Sequence, residues 1–154
     1  VGKKTATILA AAALAAMTLA GQASATPSGH AVTAAKSTTA GQTVKQSRTI
    51  HATFTLERNK SVSSNTARLV MQSDGNLVIY DEFNRARWAT GTVGQGWKAV
   101  FQTDGNFVVY TRSNRAVWAS NTDGHPGSRL VVQDDGNVVI YDGSRAIWAS
   151  GTDH

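Results

Sequence analysis

The sequence predicts an all-β protein in which three small antiparallel sheets pack around a pseudo-threefold axis as a β-prism, and three observations predict it. First, a nine-residue stretch recurs three times: Gln72-Ser-Asp-Gly-Asn-Leu-Val-Ile-Tyr80, Gln102-Thr-Asp-Gly-Asn-Phe-Val-Val-Tyr110 and Gln133-Asp-Asp-Gly-Asn-Val-Val-Ile-Tyr141. Second, each copy is followed by a tryptophan block, Arg85-Ala-Arg-Trp88-Ala-Thr, Arg115-Ala-Val-Trp118-Ala-Ser and Arg145-Ala-Ile-Trp148-Ala-Ser, with the tryptophans 30 residues apart. Third, each copy alternates apolar and polar residues on either side of Asp-Gly, a pairing that marks a β-hairpin. A fixed period of this length means one supersecondary unit per repeat, and such units bury their apolar faces against one another.

The hairpin register follows from the pattern, because a one-residue slip would turn every side chain to the opposite face. With a three-residue loop, Ser73-Asp74-Gly75, and Gly75 in the left-handed region, Gln72 faces Asn76 and Met71 faces Leu77. One face of the first unit is then wholly apolar, with Leu69, Met71, Leu77 and Ile79. The other carries Val70, Gln72, Asn76, Val78 and Tyr80. A two-residue loop would mix the two sets. The later copies give the inner faces Ala99, Phe101, Phe107, Val109 and Leu130, Val132, Val138, Ile140. A third strand runs through Trp88, Trp118 or Trp148, reached by turns such as Phe83-Asn84 or Asp142-Gly143-Ser144. Three such sheets cannot bury their apolar sides alone. Packed around an axis with the tryptophans inward, they can.

Upstream of the repeats the sequence changes character. Lys3 and Lys4, an apolar run from Thr7 to Ala20 and Ala23-Ser24-Ala25 compose a secretory signal over residues 1–25, with cleavage expected after Ala25. The run is short for a membrane span, so no membrane association is expected after cleavage. Val1 fits a literally translated GTG start codon, a hint of a bacterial gene. Residues 26–48, rich in Thr, Ser, Ala, Gly and Gln without an apolar period, read as a disordered linker or pro-region. Residues 49–154 form the folded domain. In its first third, Phe54, Leu56 and Val62 fall in short strands around a turn at Glu57-Arg58-Asn59-Lys60. They supply the outer strand of the first sheet and help to close the prism.

The chain carries +5 overall, but residues 49–154 hold ten Lys/Arg and ten Asp/Glu. That neutral balance excludes the basic surface of a nucleic-acid binder. There is no cysteine, so stability must come from the core.

These motifs resemble the bulb-type (monocot) mannose-binding lectin family over residues 49 to 154. All fifteen positions of the threefold Gln-x-Asp-x-Asn-x-Val-x-Tyr pattern match, each copy followed by Trp-Ala-Ser/Thr. The resemblance implies the β-prism II fold, which occurs in bacteria as well as plants, and a secreted, extracellular sugar-binding protein. The intradomain disulfide common in plant members has no counterpart here. By the same resemblance the carbohydrate-binding residues are Gln72, Asp74, Asn76, Val78 and Tyr80; Gln102, Asp104, Asn106, Val108 and Tyr110; and Gln133, Asp135, Asn137, Val139 and Tyr141. Asp and Asn would hold an axial 2-hydroxyl, Gln the 3-hydroxyl and Tyr the 4-hydroxyl, while Val packs on the ring carbons. Mannose-containing glycans are the implied partners, and exchange of the C-terminal segment Arg145 to Thr152 is the implied route to a homodimer.

The residue types agree with that chemistry. The only three tyrosines of the chain all sit in the motif. An amide, an acceptor-only carboxylate and a phenol make a polar fork suited to several hydroxyls. A glycosidase needs two carboxylates flanking one bond, but each repeat offers one consistent Asp and only the third adds Asp134. His30, His51, His125 and His154 share no repeat position, and no nucleophile motif is present. Three equal copies suit avidity, not catalysis. A Ca²⁺ site would need several carboxylates per copy, so neither metal nor cofactor is expected. The alternative job for the same fold is a lectin-like antibacterial toxin that docks through its sugar sites, although such toxins usually carry two of these domains. Trp88, Trp118 and Trp148 are expected in the core, Trp97 at the surface, and the motif asparagines facing outward and tolerant of alanine.

Overall fold

A computed structural model of the chain describes residues 46–154; the expected signal peptide and most of the expected linker lie outside them. The described residues form twelve strands: β1 Arg48–His51, β2 Phe54–Glu57, β3 Lys60–Ser63, β4 Ala67–Met71, β5 Leu77–Asp81, β6 Ala86–Ala89, β7 Lys98–Phe101, β8 Phe107–Tyr110, β9 Ala116–Ala119, β10 Arg129–Val132, β11 Val138–Asp142 and β12 Arg145–Ala149. They make three four-stranded antiparallel sheets, ordered β3-β4-β5-β6, β2-β7-β8-β9 and β1-β10-β11-β12. This is the expected all-β prism, one sheet per repeat.

The N-terminal stretch does more than close the first sheet. Its three short strands are dealt out one to each sheet, so that β3 pairs with β4, β2 with β7 and β1 with β10. β1 begins at Arg48, at the end of the stretch read as linker. Each of these strands places apolar residues opposite core positions: Val62 beside Leu69, Phe54 and Leu56 beside Phe101 and Ala99, and Ile50 beside Leu130. Sequence reading could not apportion them, because they carry no repeat and their partners lie far along the chain.

The hairpin register is the expected one. Met71 pairs with Leu77, and the Gln72 amide donates to the Asn76 carbonyl at 2.8 Å across the three-residue loop. All twelve inner-face residues of the three hairpins are at most 1% exposed. At the axis Trp88, Trp118 and Trp148 meet edge to face, with ring centroids 5.4, 5.5 and 5.9 Å apart. Such aromatic pairs contribute about 0.5–1.5 kcal/mol each beyond the area they bury. The indoles are only partly buried, so they cap the core and do not fill its middle. Phe101, Phe107 and the aliphatic residues do that.

Each third strand contains a bulge beside the motif tyrosine. Ile79 pairs with Trp88 but Tyr80 with Ala86, leaving Arg87 extra; the same shift occurs at Val109/Tyr110 and Ile140/Tyr141. A bulge re-aims the side chains around it. Here the extra residues Val117 and Ile147 pack against the core, while the tyrosine stays on the outer face with the rest of its motif.

Candidate functional site

Each site is built on its hairpin turn. Asp74 Oδ1 accepts the Asn76 N–H at 2.9 Å, Asp104 that of Asn106 at 2.9 Å, and Asp135 that of Asn137 at 3.0 Å. This Asx-type bond fixes the loop from inside. The central glycine is required twice over. Gly75 has φ +93°, and a Cβ placed there would lie 2.7 Å from the Gly96 carbonyl, so side-chain-bearing residues are excluded by conformation and by space.

The asparagine is the hub. Asn76 Oδ1 accepts from Thr90 Oγ1 at 3.2 Å and from the Thr92 N–H at 3.1 Å. Asn106 repeats this with Ser120 and Thr122, and Asn137 with Ser150 and Thr152. The hydroxyl after each Trp-Ala then meets a threonine two residues on, which donates to the carbonyl of the turn glycine at 2.7 Å in every copy. The expectation that these asparagines merely face outward is therefore corrected: their oxygens tie the next loop to the site. The second-layer residues Thr92, Thr122 and Thr152 were missed, although a threonine four places after each repeated tryptophan was a legible signal.

Across the hairpin the motif glutamine reaches its tyrosine. Gln72 Nε2 donates to Tyr80 Oη at 2.6 Å and Gln133 Nε2 to Tyr141 Oη at 2.8 Å, and Gln102 donates to Tyr110 in the same way. These bonds leave a defined set of atoms without a protein partner among the described residues. Asp offers one carboxylate oxygen, Gln its carbonyl oxygen, Asn its NH₂ and Tyr its O–H. Two acceptors and two donors on one short ladder suit vicinal hydroxyls, each of which both donates and accepts. The valines beneath are only 3%, 3% and 1% exposed (Val78, Val108, Val139), so each presents a methyl edge and not a broad floor.

The structure thus brings together the five motif residues of every copy. It does not add Asp134 as a second carboxylate, because that side chain is buried and accepts the Asn65 N–H at 3.2 Å. Two histidines turn out to share a place after all: the His125 and His154 backbone N–H groups donate to the Asp104 and Asp135 carbonyls, where Gly94 donates to that of Asp74. A one-residue difference in loop length hides this equivalence in the sequence. The rims differ as well. Arg68 lies 5.2 Å over the Tyr80 ring and Arg129 5.0 Å over that of Tyr141, whereas Lys98 stands opposite Tyr110.

This architecture has close counterparts among solved structures. A monomeric monocot mannose-binding lectin from Gastrodia elata is 44% identical with a TM-score of 0.59, the match covering 65% of this chain and 91% of that one. The chain belongs to the bulb-type mannose-binding lectin family. The mannose-specific agglutinin of snowdrop, Galanthus nivalis, solved with methyl-α-D-mannoside, is 42% identical (TM-score 0.54, covering 66% and 93%). The Polygonatum cyrtonema lectin, solved with a monomannoside, is 35% identical (TM-score 0.55, covering 69% and 96%). The chain matches no protein-family model and no curated protein. This bulb-type lectin chain contains no cysteine, so its prism is held by strand pairing and core packing without a disulfide.

Proposed function

We propose that this protein is a secreted bacterial lectin that binds mannose-containing glycans at three equivalent sites, without catalysis and without a metal. The observation that carries the reading is the threefold recurrence of the same unspent atoms: one Asp oxygen, one Asn NH₂, one Gln carbonyl and one Tyr hydroxyl around a valine edge. Solved relatives hold mannosides, and the carry-over follows the motif residue by residue. Asp and Asn take the axial 2-hydroxyl, Gln the 3-hydroxyl and Tyr the 4-hydroxyl. The axial hydroxyl is what separates mannose from glucose, so the Asp–Asn pair carries the specificity.

A shallow polar ladder encloses little of a monosaccharide, so each site alone binds at about millimolar strength, near −4 kcal/mol. Three sites on one domain raise the strength towards branched or surface glycans through effective concentration. In the described chain β12 pairs with its own β11; exchange of Arg145 to Thr152 between two copies would double the valency, and light scattering at binding concentrations reports it.

Retention on a mannan column in excess EDTA tests the metal-free site, and loss of retention that calcium restores would overturn it. The asparagines test the assignment. Asn→Asp at positions 76, 106 and 137 keeps the inward acceptor and removes the outward donor, so the triple variant should stay folded and lose mannan binding. A single Asn→Ala, by contrast, should cost about 1–3 kcal/mol of stability, because it strands the buried groups that bond to the amide oxygen. A folded triple Asp variant that still binds mannan would refute the motif assignment.

A further inference from the structure

The second repeat carries something that the other two lack. In the first repeat, Asp81 caps the β5–β6 turn through the Arg85 N–H at 2.9 Å and pairs with the Arg85 guanidinium at 2.7 Å. Thr111 stands in that place in the second repeat. Its hydroxyl accepts the Arg115 N–H at 3.1 Å, which keeps the cap and drops the charge. Arg112 then replaces Glu82, and Trp97 precedes β7 where Ala67 opens β4. Two carboxylates are lost and a guanidinium and an indole are gained at one corner of the prism.

That corner is an open cleft of about 660 Å³ whose wall includes Arg58, Trp97, Arg112 and Arg115 and no carboxylate. Arg58 is held in place: its Nε and Nη2 donate to the Gly96 carbonyl at 3.2 and 2.7 Å, and its guanidinium lies 4.5 Å over the Trp97 ring. Arg112 lies 5.1 Å from the same ring. None of the three arginines is in an ion pair among the described residues. Glu57, the carboxylate next to Arg58 in the chain, stands across from Lys98 in the sheet register. Three guanidiniums without an ion pair converge here on a domain whose remaining seven Lys/Arg and ten Asp/Glu are net acidic, so the feature is a local site and not a basic surface.

We propose that this cleft binds the anionic group, carboxylate or phosphate, of an acidic sugar residue in a glycan. Guanidinium forks match both groups bidentately, and an indole flanked by arginine stems offers the apolar contact that a sugar ring needs. The position favours a saccharide over a free ion. Gly94 and Gln95 line the cleft, and the loop they belong to is the one anchored to the first sugar site by Asp74 and Asn76. A polysaccharide engaged at that site passes along the shared wall.

The test is a residue-resolved NMR titration of the folded domain with a mannuronate oligosaccharide and with mannose 6-phosphate, each beside its neutral counterpart, and with inorganic phosphate alone. At least one acidic sugar should shift the Trp97 indole N–H, and the neutral sugars should not. The double variant T111D/R112E, which installs the residues of the first repeat, should weaken the acidic sugar about tenfold, a difference of about 1.4 kcal/mol. It should leave neutral mannan binding unchanged. R115Q provides a second, less intrusive variant with the same expected direction. Failure of both acidic sugars to perturb Trp97, unchanged affinity in both variants, or inorganic phosphate binding as tightly as the sugars would overturn the proposal. Neutral mannan is read at Tyr80, Tyr110 and Tyr141 in the same experiment, so a failure of the lectin reading is seen separately.

Discussion

The three sites share one fork and have three different collars. Gln, Asp, Asn, Val and Tyr are superimposable in kind and in hydrogen bonding, but what stands behind and beside them is not. Behind the first turn lies the Gly96 backbone, behind the second the His125 carbonyl, and behind the third the imidazole of His154. At the rim the first and third sites stack an arginine on the tyrosine, while the second offers Lys98. The fork is held constant because every polar member is bonded to another member or to the loop that follows. The collars are free to vary because they only support it.

The largest test of that distinction is at the turn glycines. Gly105 and Gly136 have the same φ of +89°, yet a Cβ at Gly105 meets the His125 carbonyl at 2.4 Å, while at Gly136 it first meets the His154 ring at 2.3 Å. Backbone cannot step aside, but a side chain can. Gly105→Ala should therefore cost about 3 kcal/mol, and Gly136→Ala less: the conformational penalty of about 1–2 kcal/mol together with whatever the displaced His154 ring gives up at Glu82. Equal losses in chemical denaturation would mean that the collars are as rigid as the fork.

A smaller effect is expected from the imidazole collar itself. His154 Nε2 faces Glu82 at 2.8 Å and Nδ1 faces the Thr152 carbonyl at 3.0 Å. The hydrogen bonds to Thr152 and then to Glu82 raise the imidazole above its ordinary value, and the bond from His154 holds Glu82 below its own. The histidine contribution is complete below its unfolded value of 6.5 and is lost as pH rises through the higher folded value. The glutamate contribution is present above its unfolded value of 4.5 and is lost as pH falls through the lower folded value. The Tm difference between the parent and His154→Ala should therefore be greatest between those two values and shrink on both sides. A difference that is flat with pH would remove the ion pair from the account.

The smallest expected effect is at the rim. Lys98→Arg gives the second site the collar of the others, and a cation over an exposed ring is worth about 0.5–1 kcal/mol. Its affinity for methyl mannoside, followed at Tyr110, should move towards that of the other two sites by no more than about fivefold. A larger change would show that the rim contacts the sugar directly.

Much of this is legible in the sequence. The Asp-Gly turn and the period-2 alternation fix the register, so Leu69, Met71, Leu77 and Ile79 had to face inward together. The fifteen motif residues fell into place because the repeat states them three times. The inward role of the Asn76 oxygen was not legible, since it depends on how Thr90 to Thr92 wrap behind the turn. Nor was the equivalence of His125 and His154, which a change in loop length conceals. The Thr111/Arg112 departure was present in the sequence, but it acquires meaning only once Arg58 and Trp97, distant along the chain, are seen at the same corner.

The dealing-out of β1, β2 and β3 also imposes a timetable. β3 meets its partner within a few residues, β2 must wait until β7 exists, and β1 has nowhere to go until β10 is made. On a ribosome these three strands are therefore seated in reverse order of their appearance, β3 first and β1 last. Until the last repeat emerges, the first-made strand remains unpaired, and until that strand docks, the third sheet keeps a bare edge open to any neighbouring chain.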